Sequence, residues 1–599
     1  MKHLFDLRLD VLAQAYRSGQ LRPRAVILAL RERALALNPE FNAFIYLLTP
    51  DELEPYLAAL DGVDPASLPL YGVPFAIKDN IDLAGIETTA ACPAFAYRAE
   101  QDATIVSQLI ALGAVPLGKT NLDQFATGLN GTRSPFGACR NSVHPEYPSG
   151  GSSAGSSLAV ALGLASFALG TDTAGSGRVP ASLNNLVGLK ATKGLISTAG
   201  VVPACRTLDC VTFFTSTAAE ASQLLALTAT KDAHDDYSRA NPSWNGAQAF
   251  GVPAAGFRFG VPDTLEFLGC AESEALYHTA KERLIALGGV PVTIDFSPFL
   301  AAAKLLYDGP WVAERYHVAG ALIEQQPDAV LPVIRNVLQK APAMSAVAAF
   351  EAQYQLQAYK SECDAILAGL ECVLTPTYPR PVSLAELAEE PVKRNSELGL
   401  YTNFMNLLDY AAVAVPAGFM ANGLPSGITL FGRAFTDQYL LSLADALQRH
   451  QKLPLPGERE IQGDAPVSTA TDDRMYLVVC GAHLDGLALN HQLRQRGATY
   501  VEATTSAPHY RLFALADGKR PGMVRATEQG SAIAVEVWAL PHSEMGSFLA
   551  GIPAPLGLGK VELQDGRWLT GFICEEAGLE GAQEITRFGG WRAWLAHHA

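Results

Sequence analysis

The chain has 599 residues, 49% of them hydrophobic and 17% charged, with a formal net charge of −16. That composition supports a sizeable buried core, and the acidic balance disfavours nucleic acid and anionic membranes as general partners. The nine cysteines are scattered, without the CxxC pairs of a zinc site or the density of a disulfide scaffold, so no metal or other cofactor is expected and a reducing, cytoplasmic setting fits.

The first residues, "MKHLFDLRLDVLAQAYRSGQLRPR", mix charge into a helical pattern and offer no apolar signal-peptide core. "LYGVPFAIKDNI" (70–81) reads as a strand, "ATIVSQLIALGA" (103–114) as a helix ending at a glycine, and "VPLGKT" (115–120) as a short strand. The longest apolar stretch, "LAVALGLASFALG" (158–170), is too short to cross a bilayer. This alternation predicts an α/β fold with a mixed, mostly parallel sheet covered by helices on both faces. Residues 266–366 are richer in helix, and "CVLTPTYPRP" (372–381) and "AAVAVPAGF" (411–419) return to strand character. Pro, Gly, Ser, Thr and charged residues replace periodic structure near 453–474, which predicts a domain over 1–455, a linker over 456–474 and a small α+β domain over 475–599.

Two Gly- and Ser-rich segments carry the chemistry. In "YPSGGSSAGSSLAVALG" (147–163) a serine-capped helix is the plain explanation. A phosphate cradle would need the GK[ST] ending that is missing, and the glycines are not spaced for a dinucleotide. The second segment, "ALGTDTAGSGRVPASLNNLVGLKATKG" (168–194), suggests a third explanation. A helix-length apolar stretch separates Ser152 from Ser176, so the chain can return and bring both serines to one end of the sheet. Small residues around Ser176 let backbone N–H groups approach a reacting carbonyl.

"GVPFAIKDNID", "GGSSAGS" and "GTDTAGSGRVPA", in that order, resemble the amidase signature family, and "TPTYP" and "VAVPAGFMANGLPSGITLFGR" match its later segments. The resemblance covers roughly residues 20–450 and implies a catalytic triad of Ser176 as nucleophile, Ser152 after a cis Gly151–Ser152 peptide as proton bridge, and Lys78 as base. As a base Lys78 must be neutral, so burial has to lower its pKa. The resemblance also implies an oxyanion hole from the backbone N–H groups of Thr173, Ala174, Gly175 and Ser176, with Asp172 and Arg178 pairing to shape that turn.

Within the family, "NLDQFATGLNGTRSPFGACRN" (121–141) and "LLYDGPWVAERY" (305–316) resemble the allophanate hydrolases. Asp308 and Gly309 before Pro310 read as a helix start, which puts Tyr307 just outside the helix and Arg315 in its second turn. The resemblance makes these two the residues that hold a small anionic amide, a task a guanidinium fork suits; on charge pattern alone, Arg315 would pair with Glu314 or another acid at the surface. "VVCGAHLDGLALN" resembles the opening of a γ-glutamyl cyclotransferase-like fold, and His483 in it is a candidate to assist decarboxylation of the first product, or else a structural residue. The expected activity is hydrolysis of allophanate to ammonia and carbon dioxide by a homodimer, with urea carboxylation in a separate polypeptide. The alternatives are an amidase for other small amides, an amidotransferase A-type subunit, or a protein without catalytic activity.

Overall fold

The computed structural model describes residues 3–246, 257–457, 460–461, 474–526 and 528–598. The chain forms two compact units, Met1–Pro242 with Ala249–Val467 and Ser243–Gln248 with Ser468–Ala599. Most of the expected linker, 456–474, lies outside the described residues.

Among the described residues the first unit is built on an eleven-stranded sheet. Its order is Phe44–Leu47, Val115–Thr120, Pro74–Lys78, Phe167–Asp172, Cys210–Thr215, Val187–Lys190, Tyr410–Phe419, Pro425–Arg433, Cys372–Pro376, Arg258–Pro262 and Val290–Ile294. The helix over Thr104–Ala111 ends as the sequence suggests. Gly113 takes a φ of +97°, which only glycine adopts freely, and turns the chain directly into Val115–Thr120.

The sheet is mixed, but the expectation of a mostly parallel one needs correction. Parallel pairing is confined to two places: Pro74–Lys78 with its two neighbours, and Arg258–Pro262 with its two neighbours. The remaining pairs are antiparallel. The physical reason is plainest at Tyr410–Phe419 and Pro425–Arg433. The short turn between them, with Gly423 at φ +82°, can only fold the chain back on itself, whereas a parallel return needs a crossover of a dozen residues or more. The helix-rich stretch 266–366 contains Ala271–Ala286, Ser297–Asp308, Trp311–Gln325 and Ala346–Ile366, with one strand, Val290–Ile294, between the first two.

Three parallel strands place the chemistry. Pro74–Lys78 is buried throughout and lies between Val115–Thr120 and Phe167–Asp172, with Phe75 stacked on Phe167 at 5.4 Å. Lys78 is in register with Thr120, and each strand ends in a polar residue: Lys78, Thr120 and Asp172. Their carboxyl ends therefore open onto one edge, where α/β sheets commonly bind ligands.

The second unit carries a five-stranded and a three-stranded sheet with helices Asn490–Arg494, His542–Ala550 and Trp591–His598, the expected α+β class. Its core gathers Trp538, Tyr510, Val537 and Leu540.

Candidate active site

Lys78 is completely buried at the end of its strand. Its Nζ lies 2.8 Å from Ser152 Oγ and 2.7 Å from Thr171 Oγ1. Burial strips water from the ammonium and pushes the pKa down to about 7, with help from the positive charge of Arg315. The carboxylates of Asp123, Asp209 and Asp172 pull the other way and lose to that desolvation. A lysine poised near neutrality is chemically able to accept a proton.

Ser152 follows a cis peptide from Gly151. It precedes the helix Ala154–Ala161, whose N-cap, Ser153, makes no side-chain cap. Ser153 Oγ instead donates to Thr171 O at 3.1 Å, and Ser156 Oγ donates to Leu169 O at 2.8 Å. These hydroxyls tie the helix to Phe167–Asp172, so the simple capped-helix explanation of this segment does not describe it. Gly150 packs so closely on the segment after Ser176 that a Cβ would sit 2.8 Å from Pro180 Cα.

Ser176 is buried in the turn that follows Phe167–Asp172. Its Oγ makes no hydrogen bond to the described residues, whereas Lys78 and Ser152 are already joined. Catalytic contacts of this kind often tighten only around a substrate.

The turn is held from two sides. Asp172 grips Arg178 through two hydrogen bonds of 2.9 Å, from Nε and Nη2, and accepts the N–H groups of Gly175 at 2.9 Å and Gly177 at 3.0 Å. Burial would raise the Asp172 carboxyl, but the charge and hydrogen bonds of Arg178 and the Gly177 N–H hold it below its ordinary range. On the far side Thr173 Oγ1 donates to Asp209, which also accepts from the N–H of Ala204 at 2.8 Å. Of the four N–H groups expected to form an oxyanion hole, that of Gly175 is thus already given to Asp172, while those of Thr173, Ala174 and Ser176 have no acceptor among the described residues.

Tyr307 lies just outside the helix that carries Arg315, as expected, but within another helix rather than a loop. It is in the last turn of Ser297–Asp308; Gly309 ends that helix and Pro310 is the N-cap of Trp311–Gln325. The first helix runs past Tyr307 because Gly309 N–H still reaches Leu305 O at 2.8 Å. Arg315 sits in the second turn of the next helix, as expected, and points inward: its guanidinium is 5.5 Å from the Tyr307 ring centroid and donates to Thr127 Oγ1 at 3.1 Å. The surface pair with Glu314 is not formed; Glu314 accepts from Thr207 Oγ1 at 2.9 Å.

These elements coincide with the matches to known proteins. The profile named Amidase matches residues 25–441. The chain belongs to the amidase family. Residues 475–596 match a second profile, the allophanate hydrolase C-terminal domain. A urea amidolyase from Lachancea kluyveri is 43% identical over 580 residues, 93% of this amidase-family chain and 31% of the relative. The chain thus spans about a third of the length of such relatives. The solved structure of Kluyveromyces lactis allophanate hydrolase is 39% identical with a TM-score of 0.74, covering 98% of this chain and 99% of that one. The A-type component of a glutamyl-tRNA(Gln) amidotransferase from Synechococcus sp. (strain WH7803) is 32% identical over 469 residues, 73% of this chain and 95% of the relative.

Several residues of this amidase-family site had no role assigned from the sequence, although Thr171 and Asp123 lie inside the segments 168–194 and 121–141. Thr171 is the second partner of Lys78, and Asn406 Nδ2 donates to Asp172 O at 2.7 Å. Asp123 collects the N–H groups of Asn130, Gly131 and Arg133 at 3.3, 3.1 and 2.9 Å, and a side chain at Gly128 or Gly151 would collide with its carboxylate. Left-handed φ values occur in two non-glycine pairs, Ala90–Ala91 and Phe125–Ala126, joined by the hydrogen bond Phe125 N to Ala90 O at 2.9 Å. Such residues cost about 1–2 kcal/mol each and gather where a loop is held for a purpose.

His483 lies in the second unit, half-buried, with its ring stacked 5.0 Å from Phe572 and Nε2 at 3.1 Å from Gln492 Oε1. Burial lowers its pKa, which favours the neutral imidazole.

Proposed function

We propose that the chain hydrolyses allophanate, urea-1-carboxylate, to ammonia and carbon dioxide. The observation that carries this reading is the inward-facing Arg315, buried beside Tyr307 and close enough to Lys78 for its charge to depress the amine's pKa. A site that holds a fixed guanidinium near a neutral base suits a small amide bearing a carboxylate. The likeness to the Kluyveromyces lactis allophanate hydrolase along nearly all of both chains supports the same reading.

In this mechanism Lys78 takes the proton of Ser152, which takes that of Ser176 as Ser176 Oγ attacks the terminal carbonyl. The oxyanion faces the N–H groups of Thr173, Ala174 and Ser176, with Gly175 fixed by Asp172. The relay returns the proton to the leaving nitrogen, and ammonia departs. Water then cleaves the acyl-enzyme on Ser176 by the same route and releases N-carboxycarbamate, which loses one carbon dioxide to leave carbamate, and carbamate breaks down to the second ammonia and the second carbon dioxide. Arg315 and Tyr307 hold the carboxylate end throughout. This chemistry falls within residues 1–455, and a neutral His483 in the domain over 475–599 assists the decarboxylation. The amidotransferase A-type alternative is supported by relatives that leave about a quarter of this chain unmatched.

A cytoplasmic setting is supported by the nine cysteines, all free. Among the described residues no helix is long and apolar enough to cross a membrane. The partners in this reading are the small anionic amide, a urea carboxylase that supplies it and a second copy of the chain. A homodimer is supported by Val347, Phe350 and Tyr354, exposed along one stripe of Ala346–Ile366.

The test is ammonia and carbon dioxide release from allophanate, biuret, malonamide and glutamine. Measured well above pH 7, where Lys78 is neutral with or without the Arg315 charge, Arg315→Ala is expected to lower kcat/KM for allophanate by more than about tenfold, the effect of losing a charge-assisted hydrogen bond, while leaving neutral malonamide nearly unchanged. A smaller loss would remove the carboxylate-holding role. His483→Ala should slow carbon dioxide, and the second ammonia with it, without slowing the first ammonia; carbon dioxide that keeps pace with the first ammonia would take His483 out of the chemistry.

A further inference from the structure

Two guanidiniums converge on a single threonine. Arg315 Nη1 donates to Thr127 Oγ1 at 3.1 Å and to Ala126 O at 3.3 Å. Arg133 Nη1 donates to Thr127 O at 3.0 Å, and its Nη2 to Pro391 O at 2.8 Å. Thr127 Oγ1 gives its own proton to Phe125 O at 3.1 Å, which leaves its lone pairs for Arg315. All three residues are nearly sealed from solvent, at 1% for Thr127, 5% for Arg133 and 3% for Arg315.

Neither arginine forms an ion pair with a carboxylate among the described residues, and the Nε of each lacks a hydrogen-bond partner. The nearby acids are engaged elsewhere. Asp123 accepts three backbone N–H groups, and Asp209 is taken up by Thr173, Ala204 and Cys205, with burial raising its pKa. Buried cations with unmet donors are unfavourable unless something else supplies acceptors. The loop that carries Thr127 is itself unusual: Phe125 and Ala126 both adopt φ +51°, and this turns Ala126 O toward Arg315.

We infer that Thr127 is a positioning residue that sets charge specificity: fixed at its carbonyl by Arg133, it aims the Arg315 fork so that anionic amides are taken in preference to neutral ones. This rests on the reading of Arg315 as the residue that holds the substrate carboxylate. Arg133 acts through the same threonine, as a brace on its carbonyl.

The experiment uses the full chain and two probes that differ mainly in charge, malonamate (the anionic half-amide) and malonamide. Thr127→Val keeps the shape and removes the acceptor. It should raise KM for malonamate by about tenfold or more and change kcat/KM for malonamide by less than about twofold, and Thr127→Ser should restore the parent values. Arg133→Lys, which leaves Thr127 in place, should show the same selective loss and carries the test should the valine variant fail to fold. Equal losses on both probes, or none on malonamate, would overturn the role of Thr127. A parent protein indifferent to the charge of the probe would overturn the reading of Arg315, and this inference with it.

Discussion

Replacing Lys78 with methionine is expected to yield a folded protein that is inert and more heat-stable than its parent. The amine is fully buried and burial lowers its pKa from 10.5 to about 7. In the unfolded chain it titrates at the ordinary value, so between pH 7 and 10.5 the unfolded state holds the extra proton and stability rises with pH. Below pH 7 both states are protonated and the burial of the ammonium weighs fully against the fold, on the order of several kcal/mol. Methionine, similar in length and uncharged, avoids this penalty. Its gain in Tm should therefore be largest in acid and fade in alkali. Turnover should fall by about four orders of magnitude or more, as when a triad loses its base. The parent's kcat/KM should climb with pH through about 7 as Lys78 loses its proton. Ser176→Ala should match the loss of turnover without the pH-dependent gain in Tm. Substantial residual activity in the methionine variant would remove Lys78 as the base, and a Tm gain equal at all pH values would mean that the Lys78 pKa is not depressed in the fold.

Breaking the pair of Asp172 and Arg178 should produce the largest loss of stability at the site. Both side chains are wholly buried, and the carboxylate meets the guanidinium at two points while anchoring Gly175 and Gly177. Arg178 also donates to Thr402 O at 3.3 Å, which binds the turn to the segment before Tyr410–Phe419. Asp172→Asn or Arg178→Met leaves one buried partner unmatched, at a cost of about 3–5 kcal/mol. The depressed Asp172 pKa gives the sign of the pH effect. Stability from this pair is present above the ordinary value of 3.8 and is lost as pH falls through the lower, folded value. The double variant is expected to recover part of the stability and none of the activity, because an amide at position 172 keeps only one acceptor oxygen and leaves either Gly175 or Gly177 without its partner. Denaturant melts of the four proteins check the first statement, and ammonia release checks the second. Single variants as stable as the parent would show that the turn is held by its other contacts.

What could be read in the sequence was whatever rests on short-range pattern. The strand at Val115–Thr120 and the glycine that ends Thr104–Ala111 follow from local rules, and the spacing of Ser152 and Ser176 follows from a helix and a strand between them. Strand direction was less legible, since pairing is set by the length and path of each connection. The helix start at Pro310 was legible, but the end of Ser297–Asp308 just before it was not, because Asp308, Gly309 and Pro310 serve equally well to finish one helix and to begin another. Thr127 and Arg133 lie inside the segment 121–141 that carries the resemblance, but nothing in that segment marks them as partners of Arg315. Their importance arises from three-dimensional convergence with Arg315, and the left-handed pairs involve alanine and phenylalanine, which do not announce such conformations.

Any drift of this protein toward other substrates is channelled by the carboxylate of Asp123. Because that carboxylate fills the space where side chains at Gly128 and Gly151 would project, the floor beneath the serines admits no new functional group without unseating three N–H donors. Variation has more room at Tyr307 and Arg315, which ride on the two successive helices Ser297–Asp308 and Trp311–Gln325. Crowding thus constrains the serine segments more tightly than the helical positions of Tyr307 and Arg315.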